Sequence, residues 1–419
     1  MKRLLALALL SLPIIVWAQQ TTLPSSNPES EGMSSERLER IDRRIQQGLN
    51  DNWFPGAVVL IMRNSKLVHY KAYGYSDLEK KTPMKKDNIF RIASQSKAIT
   101  SLAAMMLFEE GKFQLDDPVS KYIPEFKDTK VLSTFNKEDS SYSTEPAKMQ
   151  ITIRQLLTHT SGIDYAAIGS ANFKAIYAKA GIPSGIGNDK MVLADKMKVL
   201  GGLPIAHQPG EAFTYGLNID VLGYLIEVWS GQTLADFFQK RIFNPLGMND
   251  SYFYLPKDKI SRLVPIYEEK ENKLIKVNHE IYDHVNPAYP TLRGKYYSGG
   301  AGLSSTAEDY AKFLQLFLNK GEFNGTRLLS RKTIELMLTN QTGALPTQFG
   351  LGFQLETPVN DFLSPASLGS FSWGGAFNTT YWADPKENIV ALLYTQIYSS
   401  QHREIGNLFK TLTYQAVID

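Results

Sequence analysis

The chain has 419 residues, 43% hydrophobic and 21% charged, which is ordinary globular material and enough for one large domain or two of usual size. It contains no cysteine, which excludes disulfides, thiolate metal sites, cysteine nucleophiles and a lipoprotein anchor together. The formal charge is +3, of which Lys2 and Arg3 supply two, so neither nucleic acid nor an anionic membrane surface is an expected partner.

Residues 1–18, "MKRLLALALLSLPIIVWA", have a basic start, a short apolar run broken by Pro13, and Val16 and Ala18 at positions −3 and −1 of a cut. They read as a secretory signal peptide cleaved near Ala18–Gln19. The expected product is exported, periplasmic or extracellular, and carries no membrane span. The remainder, 19–419, reads as a single domain. Residues 34–50 carry Leu38, Ile41, Ile45 and Leu49 at helical spacing behind serine caps. "GAVVLIMRN" and "KLVHYKAYGY" read as two strands of a hairpin turning at Asn64–Ser65. Next, "IFRIASQSKAITSLAAMMLFEEG" reads as a buried helix that Gly111 ends.

From about 94 to 344 the pattern is helical, with long connections at 128–150 and 163–190 that have no evident strand partners, and these with the loop 264–297 are expected to shape the pocket. "LADFFQKRIFNPLG" and "TAEDYAKFLQLFLNKG" are amphipathic helices. Strand patterns return in "FGLGFQLE", "SFSWGGAFNTTYWADP" and "NIVALLYTQ", and 401–416 closes the chain as a helix. The expected fold class is α+β. Strands from about 34–93 and 345–419 form one antiparallel sheet, flanked by N- and C-terminal helices, with a large α-rich insertion beside it.

Three stretches suggest chemistry. In "ASQSK", residues three apart share a helix face and neighbours do not, so Ser94 rather than Ser96 can set its oxygen against Lys97. A serine hydroxyl needs a base within hydrogen-bond reach, and Lys97, when neutral, is the candidate. Tyr215 stands in the turn opened by Pro209–Gly210, just before an apolar helix. Gly374 and Gly375 interrupt a strand pattern, which fits close approach of a backbone or ligand. "HEIYDH" is not a zinc motif. His279 and His284 are five apart and would diverge by about 140° on a helix.

In order along the chain, "FRIASQSKAITS", "LDDPVSKYIPEF", "ITIRQLLTHTSGI", "PGEAFTYGLNIDVLGYLIE", "PLGMNDSYF", "GGAGLSSTAEDYAKFL" and "WGGAFNTTYWADP" resemble the serine β-lactamase and penicillin-binding-protein superfamily. The likeness is to its class C β-lactamases and family VIII carboxylesterases. It implies the β-lactamase/transpeptidase-like fold, with Ser94 as acylated nucleophile, Lys97 as its proton acceptor and Tyr215 as second general base. The implied oxyanion hole is the backbone N–H of Ser94 and of Ala376. Implied substrate-binding residues are Trp373, Gly374, Gly375 and Asn218; apart from the resemblance, the tyrosines of 264–297, Tyr267, Tyr282, Tyr289, Tyr296 and Tyr297, suggest an aromatic rim, with Tyr297 a substrate-binding candidate. Asn218 falls one place later than the asparagine of the family's Tyr-x-Asn motif, and Trp373 stands where β-lactamases and D,D-peptidases place a lysine or histidine. No cofactor or metal is implied.

The expected activity is hydrolysis of an ester, or of an amide, through an acyl-enzyme. Alternatives are β-lactam or D-amino-acid peptide cleavage, or a binding or sensor protein that is acylated without turning over.

Overall fold

The computed structural model describes residues 22–419; the proposed signal peptide and its cleavage point lie outside the described residues. Helix α1 (Ser35–Asn50) starts where the Ser34 hydroxyl accepts the Arg37 N–H, and it buries Leu38, Ile41 and Ile45. Strands β1 (Gly56–Arg63) and β2 (Lys66–Asp77) follow. Asn64 and Ser65 both take positive φ (52° and 65°), the twist a two-residue hairpin needs. A short β3 (Thr82–Pro83) pairs with β2.

The rest of the sheet comes from the other end of the chain: β4 (Gln354–Leu355), β5 (Phe371–Gly375), β6 (Thr379–Asp384) and β7 (Ile389–Tyr394). The order across the sheet is β4-β5-β6-β7-β1-β2-β3, antiparallel throughout. Every residue of β1 is buried, because the strand is central and covered on both faces. Val59 and Ile61 pack with α1 and with α5 (Ile405–Tyr414), as do Trp382 and Leu393. Val58 and Leu60 face the larger core, which holds α2 (Ser96–Glu109), α3 (Asn218–Ser230) and α4 (Ala307–Leu318). The expected α+β architecture, with strands from both chain ends in one sheet, is the observed one.

Four expectations about local structure are corrected. The single strand read over 370–385 is a hairpin, turning at Ala376–Asn378 with Asn378 at φ 60°. Residues 128–150 are not a loop: Lys130–Phe135 and Tyr142–Pro146 pair with each other. Within 163–190 lies the helix Ala171–Lys179. Within 264–297, Tyr267–Lys270 pairs with Lys273–Lys276 and, in parallel, with Ile397–Tyr398. These strands find partners far off or in polar hairpins, so no apolar alternation announces them. His279 and His284 face different carboxylates, Glu268 at 3.8 Å and Glu280 at 3.0 Å.

Candidate active site

The nucleophile candidate stands on a tight turn. Ala93 takes φ 43°, an uncommon conformation for a residue with a side chain, and opens a single 3-10 turn, Ala93–Gln95, that runs directly into α2. Ser96 is fully buried. Its hydroxyl donates to the Ala93 carbonyl (2.7 Å) and accepts the Leu303 N–H (3.1 Å), so it is occupied in holding this turn. Ser94 is half-buried and lines a cavity of about 860 Å³ together with Tyr215, Trp373, Gly374, Gly375 and Ala376.

Lys97 reaches the same point from one turn along, its side chain almost wholly buried. Its Nζ lies 3.4 Å from Ser94 Oγ and donates to the Tyr165 phenol (2.8 Å) and to the Gly300 carbonyl (2.7 Å). The Tyr215 ring faces the same nitrogen at 4.6 Å from its centroid. Trp373 Nε1 donates to the Tyr215 hydroxyl at 3.2 Å, and their rings are 5.4 Å apart. The indole thus forms a wall of the cavity and aims the phenol.

The hairpin supplies the facing edge. A Cβ on Gly375 would lie 2.4 Å from the Ile92 carbonyl oxygen and 2.3 Å from Thr379 Oγ1, so only glycine lets β5 press against the turn that carries Ser94. In that turn Gln95 N–H bonds Ile92 O and Ser96 N–H bonds Ala93 O, while in the hairpin Asn378 N–H bonds Gly375 O. The N–H groups of Ser94 and Ala376 belong to neither set, as oxyanion donors require.

Two of the expected substrate-binding residues do not line the cavity. Asn218 is fully buried at the start of α3. It bonds Ser161 Oγ (2.5 Å), His159 Nδ1 (3.1 Å) and the carbonyls of Ile163 and Thr214. The one-residue shift from the Tyr-x-Asn spacing turns it into the scaffold beneath Tyr215. Tyr297 instead packs its ring against Phe253 and Tyr254. Of the tyrosines in 264–297, Tyr282 lines the cavity, while Tyr267, Tyr289 and Tyr296 are core residues.

Three residues were missed in sequence. Tyr165, closing "THTSGIDY", accepts a hydrogen bond from Lys97 Nζ at 2.8 Å, and burial, then Tyr215 and Asp220, hold it well above the usual tyrosine range, so it stays a phenol. His159 packs its ring 4.9 Å from that of Tyr215, and burial, with the charge of Lys97, keeps it neutral. Asp220 is fully buried beneath the lysine. A Cβ on Gly300 would sit 2.4 Å from its Oδ2 and 3.6 Å from Lys97 Nζ. Burial pushes this carboxyl up to about 6, against the opposing pull of Ser298 and Lys97. An aspartate within the apolar face of "NIDVLGYLIE" was the available signal.

An antiparallel sheet with a serine and a buried lysine at its helical border defines a class, and similarity to known proteins agrees with it. The chain belongs to the beta-lactamase family, whose model matches residues 41–415. It is 34% identical over 360 residues to Protein Rv1367c of Mycobacterium tuberculosis, covering 81% of this chain and 85% of that one. It is 28% identical to Esterase EstB of Burkholderia gladioli, covering 89% and 94%, and 30% identical to Lovastatin esterase of Penicillium rubens, covering 83% and 90%. Among solved structures, EstCE1, described as a hydrolase with promiscuous acyltransferase activity, superposes with a TM-score of 0.78 at 26% identity, over 90% of this chain and 99% of that one. Simvastatin Synthase (LovD) from Aspergillus terreus, unliganded and in selenomethionyl form, shares the fold with a TM-score of 0.75 at 23% identity, over 91% and 98%.

Proposed function

We propose that this protein is an exported serine hydrolase that cleaves carboxylic esters, uncharged where they meet Trp373, through an acyl-enzyme on Ser94. The observation that carries the reading is the convergence of Ser94 Oγ, Lys97 Nζ and the Tyr215–Trp373 pair at one cavity wall. Lys97, when neutral, takes the Ser94 proton as Oγ bonds to the ester carbonyl carbon. The Ser94 and Ala376 N–H groups stabilise the oxyanion that forms. The Tyr215 phenol, whose ring faces the lysine, passes its proton to the leaving alkoxide and is reprotonated by Lys97. Water then attacks the acyl group, its proton returning through the same pair, and Ser94 is released.

Trp373 decides the substrate charge. An anionic group entering there would lose water and gain one indole N–H, already bonded to Tyr215, whereas a neutral group packs on the ring. The esterase names of two relatives support the same direction. The name of EstCE1 supports a second outcome for the acyl-enzyme, transfer to an alcohol in place of water. Export rests on residues 1–18; among the described residues no helix is long and apolar enough to cross a membrane. The test is a panel of p-nitrophenyl esters, a chromogenic cephalosporin and D-alanyl peptides. Short neutral esters are expected to have the highest kcat/KM, and a higher value for the cephalosporin would overturn the reading.

A further inference from the structure

The two glycines of β5 do different things. Gly375 is required by the close approach of Ile92, but a Cβ on Gly374 would meet only the Thr379 carbonyl, at 3.0 Å. Gly374 points to the opposite face of the strand, beside its cross-strand partner Thr380. With no side chain there, the cavity that begins at Ser94 continues over the edge of the sheet. Its far lobe runs between the segment 356–364 and α5, whose Gly406 sits against Thr380. Leu363 and Ile168 stand on the rim, 72% and 53% exposed, which is apolar surface left for something to cover.

At the far end of the lobe is Lys410, half-buried one turn beyond Gly406. Its ammonium lies 5.5 Å above the Trp382 ring. Among the described residues it has neither a hydrogen bond nor an ion pair, and burial lowers its pKa despite the pull of Glu356. Arg403, also lining the lobe, is likewise without an ion pair among the described residues. The facing carboxylate, Glu356, accepts the Ser364 hydroxyl at 3.1 Å and pairs with neither cation. Asp361 and Asp384 stand near Glu356, yet none of these carboxylates pairs with Lys410, and a half-desolvated ammonium without a partner favours an anion.

We propose that this lobe is a subsite for the tail of the substrate, and that the preferred ester carries an alkyl chain ending in a carboxylate, held by Lys410. The inference rests on ester cleavage at Ser94, and it assigns the charge to the end of the substrate remote from Trp373. The chain crosses Gly374 and lies along Leu363; the carboxylate meets Lys410, with Arg403 at the mouth.

The test uses p-nitrophenyl monoesters of linear dicarboxylic acids of increasing length, each beside its methyl-capped neutral counterpart and a cationic counterpart. The anionic-to-neutral ratio of kcat/KM is expected to exceed unity and to peak at one length. Lys410→Met should lower that ratio about tenfold, and Lys410→Arg should hold it within about twofold. A ratio unmoved by Lys410→Met, or a preference for the cationic series at every length, overturns the proposal. Calorimetric binding of a dicarboxylic monoamide to Ser94→Ala separates the two claims. Binding that Lys410→Met abolishes, in an enzyme that hydrolyses no ester, sustains the subsite and removes the reaction. Ester hydrolysis without Lys410-dependent binding removes the subsite alone.

Discussion

Lys97 Nζ lies 3.4 Å from Ser94 Oγ but 2.8 Å from the Tyr165 phenol, so the lysine is anchored more tightly to its neighbour than to its proposed target. The Tyr165 bond and the Gly300 carbonyl hold the amine in place, and a small motion then suffices to meet the serine. Tyr165→Phe should lower kcat about tenfold with KM little changed and the pH profile displaced. Tyr215→Phe, which removes the proton path, should cost about a hundredfold or more. Steady-state kinetics of the two variants across pH decide it. Equal losses with an unchanged profile in both would remove the distinction.

Ser94→Ala should abolish labelling by a covalent serine probe and all ester turnover. Ser96→Ala should still be labelled at Ser94, but with lower stability. It leaves the Ala93 turn and the Leu303 N–H without a buried partner, at about 1–3 kcal/mol. Peptide mass spectrometry of the labelled protein and thermal denaturation read the two effects. A label on Ser96 would contradict the assignment.

Trp373→Phe keeps a wall and deletes the N–H that meets the Tyr215 hydroxyl. Its kcat should fall about tenfold with the neutral-ester preference intact. Trp373→Lys should narrow the gap between neutral esters and cephalosporins, through a gain on the anionic substrate beyond the shared loss. Kinetics on both substrates separate the contributions, and an equal loss on each would point to packing alone.

Asp220 gives a pH prediction. Its folded value, about 6, lies above the ordinary 3.8, so the folded state holds this proton more tightly than the unfolded chain. Its contribution to stability is therefore fully present below about pH 4 and is lost as the pH rises through about 6, on the order of 3 kcal/mol at most. Asp220→Asn should raise the Tm relative to the parent at pH 7 and not at pH 4, while lowering kcat, since the ammonium formed when Lys97 takes the Ser94 proton loses its facing charge. Paired melting curves across that range test it. A parent-minus-variant difference that is flat in pH would refute it.

Much of this is legible in the sequence. The paired strands around Asn64–Ser65, the helix after Ser94 and the closeness required at Gly375 all follow from local rules of turn, period and backbone volume. Tyr165, His159 and Asp220 did not, because nothing local distinguishes them from other tyrosines, histidines and aspartates. Their roles arise only when 158–165 and 218–220 pack together under Lys97. Asn218 illustrates the same limit of local rules: its position relative to Tyr215 can be counted, but the direction of its side chain at the first turn of α3 cannot.

Gly375→Ala offers a direct check of that closeness. The added methyl must move either β5 or the Ile92 backbone, so acylation should slow by about a hundredfold or more while the sheet survives. Probe labelling rates alongside circular dichroism measure both; unchanged labelling would mean the hairpin does not position Ser94.

The pairing of β1 with β7 joins residues near the two ends of the chain, Val58 with Tyr394 and Arg63 with Ile389. The central strand of the sheet therefore has no neighbour on one side until residues 389–394 have been made. A nascent or truncated chain can form the β1–β2 hairpin but cannot close the sheet or its two cores. Sequence-distant pairing of this kind slows folding and leaves apolar strand edges open meanwhile. Under the proposed export, that delay keeps the chain threadable until β7 has been made.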